Sequence, residues 1–191
     1  MILLPLVAKS QDEKIKGELR FGRKWSAERE AYLGKKFIIE EILGEEQLNY
    51  YSKFQIEPLL ASKTTELSTI YYNSNEKNKE GLLFGFYGRF WESETSGESF
   101  SGHSFKNLDT KQALGLIYKI DGILRNEASY IDNYKDVNNI YFNYEDMLFL
   151  IYRKNDSILK IRIFWNGYDV EWEYNSFYRT KKKFEKALQK K

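Results

Sequence analysis

The residues able to do chemistry crowd one stretch of this chain. His103 is the single histidine, and it stands in Phe100-Ser101-Gly102-His103-Ser104. Glu92, Glu94, Glu98, Ser99 and Ser101 are its neighbours in sequence. Those types are the ones a hydrolase uses: a histidine as general base, a serine hydroxyl as nucleophile, a glutamate to orient the ring. The spacing does not support the assignment. Gly97-Glu98-Ser99-Phe100-Ser101 misses the nucleophile elbow, because Ser101 stands where the last glycine belongs. Crowding in one segment is also no sign that the groups meet in space. No catalytic set is fixed here; His103, Glu94 and Glu98 are the candidates that remain, and a solvated polar segment is the plainer reading.

Other clusters have structural readings beside the chemical ones. Glu92, Glu94 and Glu98 carry the charge to hold a hard cation, but no Asp-rich calcium loop surrounds them. Asp169, Glu171 and Glu173 share one face of an expected strand, as paired carboxylates for sugar hydrolysis do in space. Lys160 and Arg162 on the facing strand already give them partners. Residues 179–191 hold seven Lys or Arg and one Glu, a net +6 that leaves −4 on the rest of a chain whose total is +2. Such a tail suits phosphate or anionic lipid, yet Lys is also the ordinary residue of a solvated helix face. Trp25 and Trp91 fall at element ends beside Arg23, Lys24 and Arg89. Trp25, Arg89 and Trp91 are therefore the candidates for an exposed contact surface, with core packing as the alternative.

Composition narrows the classes further. The chain has 191 residues, the length of one ordinary domain. It has no cysteine, which excludes disulfides, thiolate nucleophiles and zinc–cysteine sites. One histidine excludes any site that needs two. No phosphate-binding glycine loop, dinucleotide fingerprint or metal-binding histidine pair is found, so no cofactor or metal is expected. The near-neutral charge argues against a nucleic-acid partner. No apolar run approaches 18 residues, so no transmembrane segment is expected.

The first ten residues, Met1 to Ser10, are apolar from Ile2 to Ala8 and end Ala8-Lys9-Ser10. Small residues at those places after an apolar core are what a signal peptidase needs, and residues 1–10 are read as the remnant of an export signal ahead of a single domain, 11–191. The segment is short and lacks a basic residue before the apolar run; an apolar first strand with Pro5 is the alternative.

The elements follow from patterning. With 15 Tyr, 13 Phe and 4 Trp, the bias is toward strands. Strands are expected at Glu18–Arg23, at Tyr50–Glu57 closed by Pro58, at Leu67–Tyr72 and at Leu82–Trp91. The last is apolar on both faces, with Gly85 and Gly88 marking a bulge or a close backbone approach. Ser26 to Gly34 reads as a brief helix, and Phe37–Leu43 as strand or helix. Glu92–Asn107, rich in Ser, Gly and Glu, reads as a loop or frayed strand. Asp109 with Gln112 three residues on is a capping box, opening a helix over Thr110–Arg125 with one apolar stripe.

Strands then follow at Ile140–Tyr144, Met147–Arg153, Ile158–Trp165 and Tyr168–Tyr174. Asn166-Gly167 is a hairpin signal, since both residues tolerate positive φ. It sets Ile163 against Val170, Ile161 against Trp172, Arg162 against Glu171 and Lys160 against Glu173. Leu148, Leu150 and Tyr152 are expected on the same face as Ile161 and Ile163. A basic amphipathic helix capped by Ser176 ends the chain. No internal repeat is seen.

The fold class is therefore α+β: mainly an antiparallel meander, one central amphipathic helix and one basic amphipathic helix at the C-terminus. The function this favours is a non-catalytic exported protein, periplasmic or at the surface, that binds another protein or a small ligand. The alternatives are a hydrolase built on His103 with nearby Ser and Glu, and an intracellular inhibitor or immunity-like binding partner.

Overall fold

In the computed structural model, residues 31–44, 51–61, 66–91, 99–133, 137–154 and 158–190 are described, with main chain alone at 60–61, 89–91 and 99–101. Two four-stranded antiparallel sheets carry the fold, ordered β1-β2-β3-β4 and β5-β6-β7-β8. The first holds β1 (Gln55–Ala61), β2 (Leu67–Ser74), β3 (Lys79–Trp91) and β4 (Ser99–Asp109). The second holds β5 (Asn139–Tyr144), β6 (Met147–Lys154), β7 (Ile158–Trp165) and β8 (Tyr168–Glu173). Helix α1 spans 31–43, its last stretch, Ile38–Leu43, being π-helical. Between the sheets in sequence lie α2 (Thr110–Asn126) and α3 (Ala128–Asn133), and α4 (Tyr174–Leu188) follows β8. The α+β class with antiparallel meanders is as expected. The single meander of the sequence reading is instead two, separated by α2 and α3. Helix followed by meander thus occurs twice in topology, though the sequence itself does not repeat.

One apolar core joins both sheets and three helices, α2, α3 and α4. Leu67, Tyr71, Leu82, Phe84, Phe86 and Leu108 bring one face of the first sheet to it. Phe149, Ile151, Ile161, Ile163, Val170 and Trp172 bring one face of the second. The sheets meet through Phe84 edge-on to Trp172, ring centres 5.1 Å apart, and Phe86 against Trp165 at 4.8 Å. Trp172 is fully buried, while Trp165 lies at the rim and donates its indole N–H to Asp146. Asp146 also pairs with Lys106 at 2.6 Å, which pins the β5–β6 turn to β4. Burial tends to raise the Asp146 carboxyl; Lys106 and the Trp165 N–H outweigh it and hold it below the usual range.

The middle of the first sheet is buried on both faces, which explains why β3 reads apolar from Gly81 to Phe86. Its second face, with Ile70, Tyr72 and Leu83, packs under Ile38, Phe37 and Ile42 of α1. Gly34 was expected to end a helix but lies inside α1. A Cβ there would fall 2.8 Å from Ile70 Cδ1, so the missing side chain is what lets the helix sit this low. The helix ends instead at Gly44, whose φ of +75° is open to glycine. Gly85 is likewise a close approach, its Cβ position 2.4 Å from Ser68 Oγ. Gly88 faces open space, and no bulge interrupts β3.

Three further readings change. Pro58 lies within β1 rather than closing it: β1 is an edge strand, which tolerates a residue without an N–H, and the register shifts between Pro58 and Leu60. Residues 99–107, read as loop or frayed strand, are a regular strand, β4, paired without interruption from Trp91↔Ser99 to Gly81↔Asp109. Polar composition misleads there because long pairing with a central strand satisfies the backbone whatever the side chains are. The connection between β2 and β3 is shorter than expected, a turn at Asn75–Asn78. The expected strand at Glu18–Arg23, the Ser26 cap and the leader at 1–10 lie outside the described residues.

The capping box is present as expected. Gln112 N–H donates to Asp109 Oδ1 at 2.8 Å, and Asp109 N–H to Gln112 Oε1 at 3.1 Å. The hairpin register is also as expected, from Trp165↔Tyr168 to Lys160↔Glu173, with Asn166 at φ 46° and Gly167 at φ 79°. The ion pairs across it run diagonally, Lys160 to Glu171 and Arg162 to Asp169, both 2.6 Å. Long side chains reach a residue displaced by two along the partner strand. The face of β6 is reversed relative to expectation. Phe149 pairs with Ile163 and Ile151 with Ile161, so the odd positions Met147, Phe149 and Ile151 are buried and Leu148 is exposed. β6 is apolar at nearly every position, so its pattern cannot choose a face; the three-residue connection at 155–157 chooses it.

Helix α4 buries Phe177, Phe184 and Ala187. Ser176 is not its cap: the cap position is Glu173, whose side chain makes no capping bond, and Ser176 is buried inside the first turn. Several basic residues of the tail have structural partners. Lys183 donates to the Leu59 carbonyl at 2.7 Å, Lys190 lies 3.5 Å from Glu57, and Lys181 reaches Asp121.

Candidate functional site

The described residues enclose a cleft of about 530 Å3 where the core opens at one end. Leu124 comes from the last turn of α2, and Ala128, Ile131 and Asp132 from α3. Arg153 ends β6, Ile158 and Leu159 begin β7, and Tyr174 and Asn175 begin α4. Each is placed by a local rule. Glu127 N–H still bonds the Ile123 carbonyl, so α3 starts as a bent continuation of α2. Ile131, nearly fully buried, then anchors α3 on the core and turns Asp132 outward.

Arg153 continues the row Met147, Phe149, Ile151 on the core-facing side of β6, since residues two apart share a face. A cation therefore stands where an apolar row runs out. Arg153 Nε lies 2.6 Å from Asp132 Oδ1, with Asp132 half exposed. A pair this wet stabilises the fold by no more than about 1 kcal/mol. Its cross-strand neighbour Leu159 is buried, whereas Ile158 (52% exposed) and Tyr174 (39% exposed) present apolar surface to water.

Behind the cleft a polar bridge sets the spacing of α2 and α4. Asp121, on the buried side of α2, accepts from Lys181 Nζ at 2.7 Å and also pairs with Arg125. Burial tends to raise the Asp121 carboxyl, but Lys181, Arg125 and the Tyr178 hydroxyl together hold it below the usual range. Tyr178 in turn is pushed up, by burial first and then by the neighbouring Tyr174 hydroxyl and the Asp121 charge. The rings of Tyr174 and Tyr178 meet edge-on at 4.8 Å. The Tyr174 ring in the cleft is thus backed by Tyr178, which Asp121 holds.

No family model, curated protein or solved structure matches this chain. What the cleft does must be read from its chemistry.

The cleft was not among the sites expected from sequence. The signal was present in Met147-x-Phe149-x-Ile151-x-Arg153, a core-facing row that ends in a cation, and the reversed face of β6 hid it. His103 lies on β4 opposite Tyr87, the two rings stacked 4.5 Å apart. Ser104 points to the other face, where its hydroxyl donates to Tyr168 Oη at 3.2 Å. Glu94, Glu98 and Trp25 lie outside the described residues. Arg89 and Trp91 pair with Ser101 and Ser99 at the end of β3, and only their main chain is described. Asp169, Glu171 and Glu173 are engaged by Arg162, Lys160 and the Ser176 hydroxyl. Among the described residues no three His, Asp or Glu side chains converge to hold a metal ion, and no helix is long and apolar enough to cross a membrane.

Proposed function

We propose that this chain is a non-catalytic binding protein whose ligand occupies the cleft between α2–α3 and the start of α4. The observation that carries the reading is the combination of about 530 Å3 of space, walled by aliphatic and polar side chains together, with one ion pair at its edge. Small-molecule sites are of that size and pair apolar walls with polar groups that orient the ligand. Ligand-observed NMR with a small-fragment library tests it, using the full chain and an Ala128→Trp variant. Ala128 is exposed at the cleft wall, so the indole fills the space without entering the core. Fragments that bind the wild type and are lost in Ala128→Trp support the proposal. Fragments that bind both alike, or none at millimolar concentration, overturn it.

Export is part of the proposal and rests on the residue pattern of Met1–Ser10. N-terminal sequencing of native protein checks it: a chain beginning at Gln11 supports export, and one beginning at Met1 removes it.

A second reading, a protein-binding partner of the inhibitor type, is favoured by the outer face of the second sheet. Tyr141 is 73% exposed there, beside Leu148 and Leu150 across the β5–β6 ladder. Exposed aromatic and aliphatic residues grouped on one sheet face are a feature of contact surfaces. A stable complex lost on Tyr141→Asp would support this reading over the first.

A further inference from the structure

We infer that the ligand of the cleft is a small organic acid, an apolar body carrying one carboxylate, bound by exchange with the carboxylate of Asp132. The inference rests on the cleft being the binding site. Arg153 ends a row of core-facing apolar residues, so its guanidinium lies at the boundary between aliphatic floor and open cleft. Its Nε is shut off from solvent, which raises the strength of any anion placed against the fork. A planar guanidinium matches a carboxylate in two parallel hydrogen bonds. Among the described residues the cleft lining holds one cation, which matches a monoanion better than a phosphate dianion.

Asp132 already holds that cation, at 2.6 Å, from the solvent side. Its side chain is 51% exposed, so it can turn to water while a ligand carboxylate takes its place. The exchange replaces one carboxylate by another and adds the burial of an apolar body. That body finds Ile158 and Tyr174, both well exposed in the free protein, beside the buried Ile131 and Leu159. The ion pair thus works as a built-in competitor: it keeps Arg153 compensated when the cleft is empty and yields to an acid whose tail contributes enough.

The test is calorimetric titration of the full chain with n-alkyl carboxylates from hexanoate to dodecanoate, and with the matching n-alkyl alcohols, below their micellar concentrations. The acids should bind, with affinity rising about fourfold per methylene until the cleft is full. The alcohols should bind at least tenfold more weakly, the low end of a charged hydrogen bond. Arg153→Gln should lower acid affinity about tenfold or more and leave the alcohols within twofold. Asp132→Asn should raise acid affinity several-fold. Asp132 is a surface residue, so that variant decides the matter even if Arg153→Gln folds poorly.

Acids and alcohols that bind alike, with neither variant discriminating, would overturn the inference and leave the cleft reading intact. Fragments displaced by Ala128→Trp in the absence of any alkyl binding would do the same. Loss of both fragment and alkyl binding would remove the cleft reading itself.

Discussion

Replacing Asp121 by Asn tests how the walls of the cleft are held apart. The Asp121 side chain is 3% exposed and Lys181 20%, so the 2.7 Å contact between them is largely dry. A hydrogen bond to a charged group contributes about 1.5–3 kcal/mol. Arg125 is 68% exposed and adds only about 0.3–0.5 kcal/mol, the scale of a helix-surface pair. Asn keeps an oxygen for Lys181, so the loss should be near 2 kcal/mol. For a chain of this length that lowers Tm by about 4–8 °C. The pH dependence carries a second signature. The folded carboxyl lies below its unfolded value of about 3.9, so the unfolded chain binds the proton first as pH falls. The contribution of Asp121 is therefore complete above about pH 4 and disappears as pH drops through the folded value. Circular-dichroism melts from pH 7 to pH 2.5 read both effects: the gap between wild type and Asp121→Asn should be widest at neutral pH and close in acid. A Lys181→Met variant completes a cycle with a coupling of about 2 kcal/mol. A Tm change within 1 °C at pH 7, or a gap of unchanged size in acid, would refute the reasoning.

Three more perturbations test the packing. Gly167→Ala places a Cβ at φ 79° in the β7–β8 turn and should cost about 1–2 kcal/mol in a denaturant titration; unchanged stability would show the turn is not as described. Thr180→Val removes one member of the buried Thr69–Thr180 hydrogen bond, 2.9 Å, and should cost about 1–3 kcal/mol. In a cycle with Thr69→Val the double variant should lose less than the sum of the two single losses, and strictly additive losses would contradict the pairing. Gly115→Ala would favour an isolated helix by up to about 1 kcal/mol, but here the new Cβ falls 2.5 Å from Tyr144 Oη, whose proton goes to the Gln112 carbonyl. It should lower Tm, and adding Tyr144→Phe should restore part of the loss; a rise in Tm with Tyr144 intact would show that α2 sits further from β5.

The elements legible in the sequence are those fixed by local chemistry. Asn166-Gly167 has one comfortable turn geometry, and that turn sets the whole β7–β8 register. Asp109 and Gln112 define the start of α2 because each satisfies the other's free N–H. Illegible were the features set by partners distant in sequence. Nothing local in Glu92–Asn107 says that residues 99–109 pair along the full length of β3. Nothing in Leu82–Trp91 says that α1 covers its second face. β6 is apolar on both sides, so its face was open to either reading, and the wrong one placed Arg153 outside the core row. The candidate site was lost through that one inversion. His103 drew attention by rarity instead, and its ring stacks on Tyr87 in the sheet.

The most direct measurement of the central claim is a methyl-resolved NMR titration of the full chain with decanoate. Binding at the cleft predicts saturable shifts of the Ile131, Ile158, Leu124 and Leu159 methyls, while those of Ile38 and Ile70, beneath α1, stay in place. Shifts centred on Leu148 and Leu150 of the outer sheet face, or no saturable shift at any methyl, would contradict it.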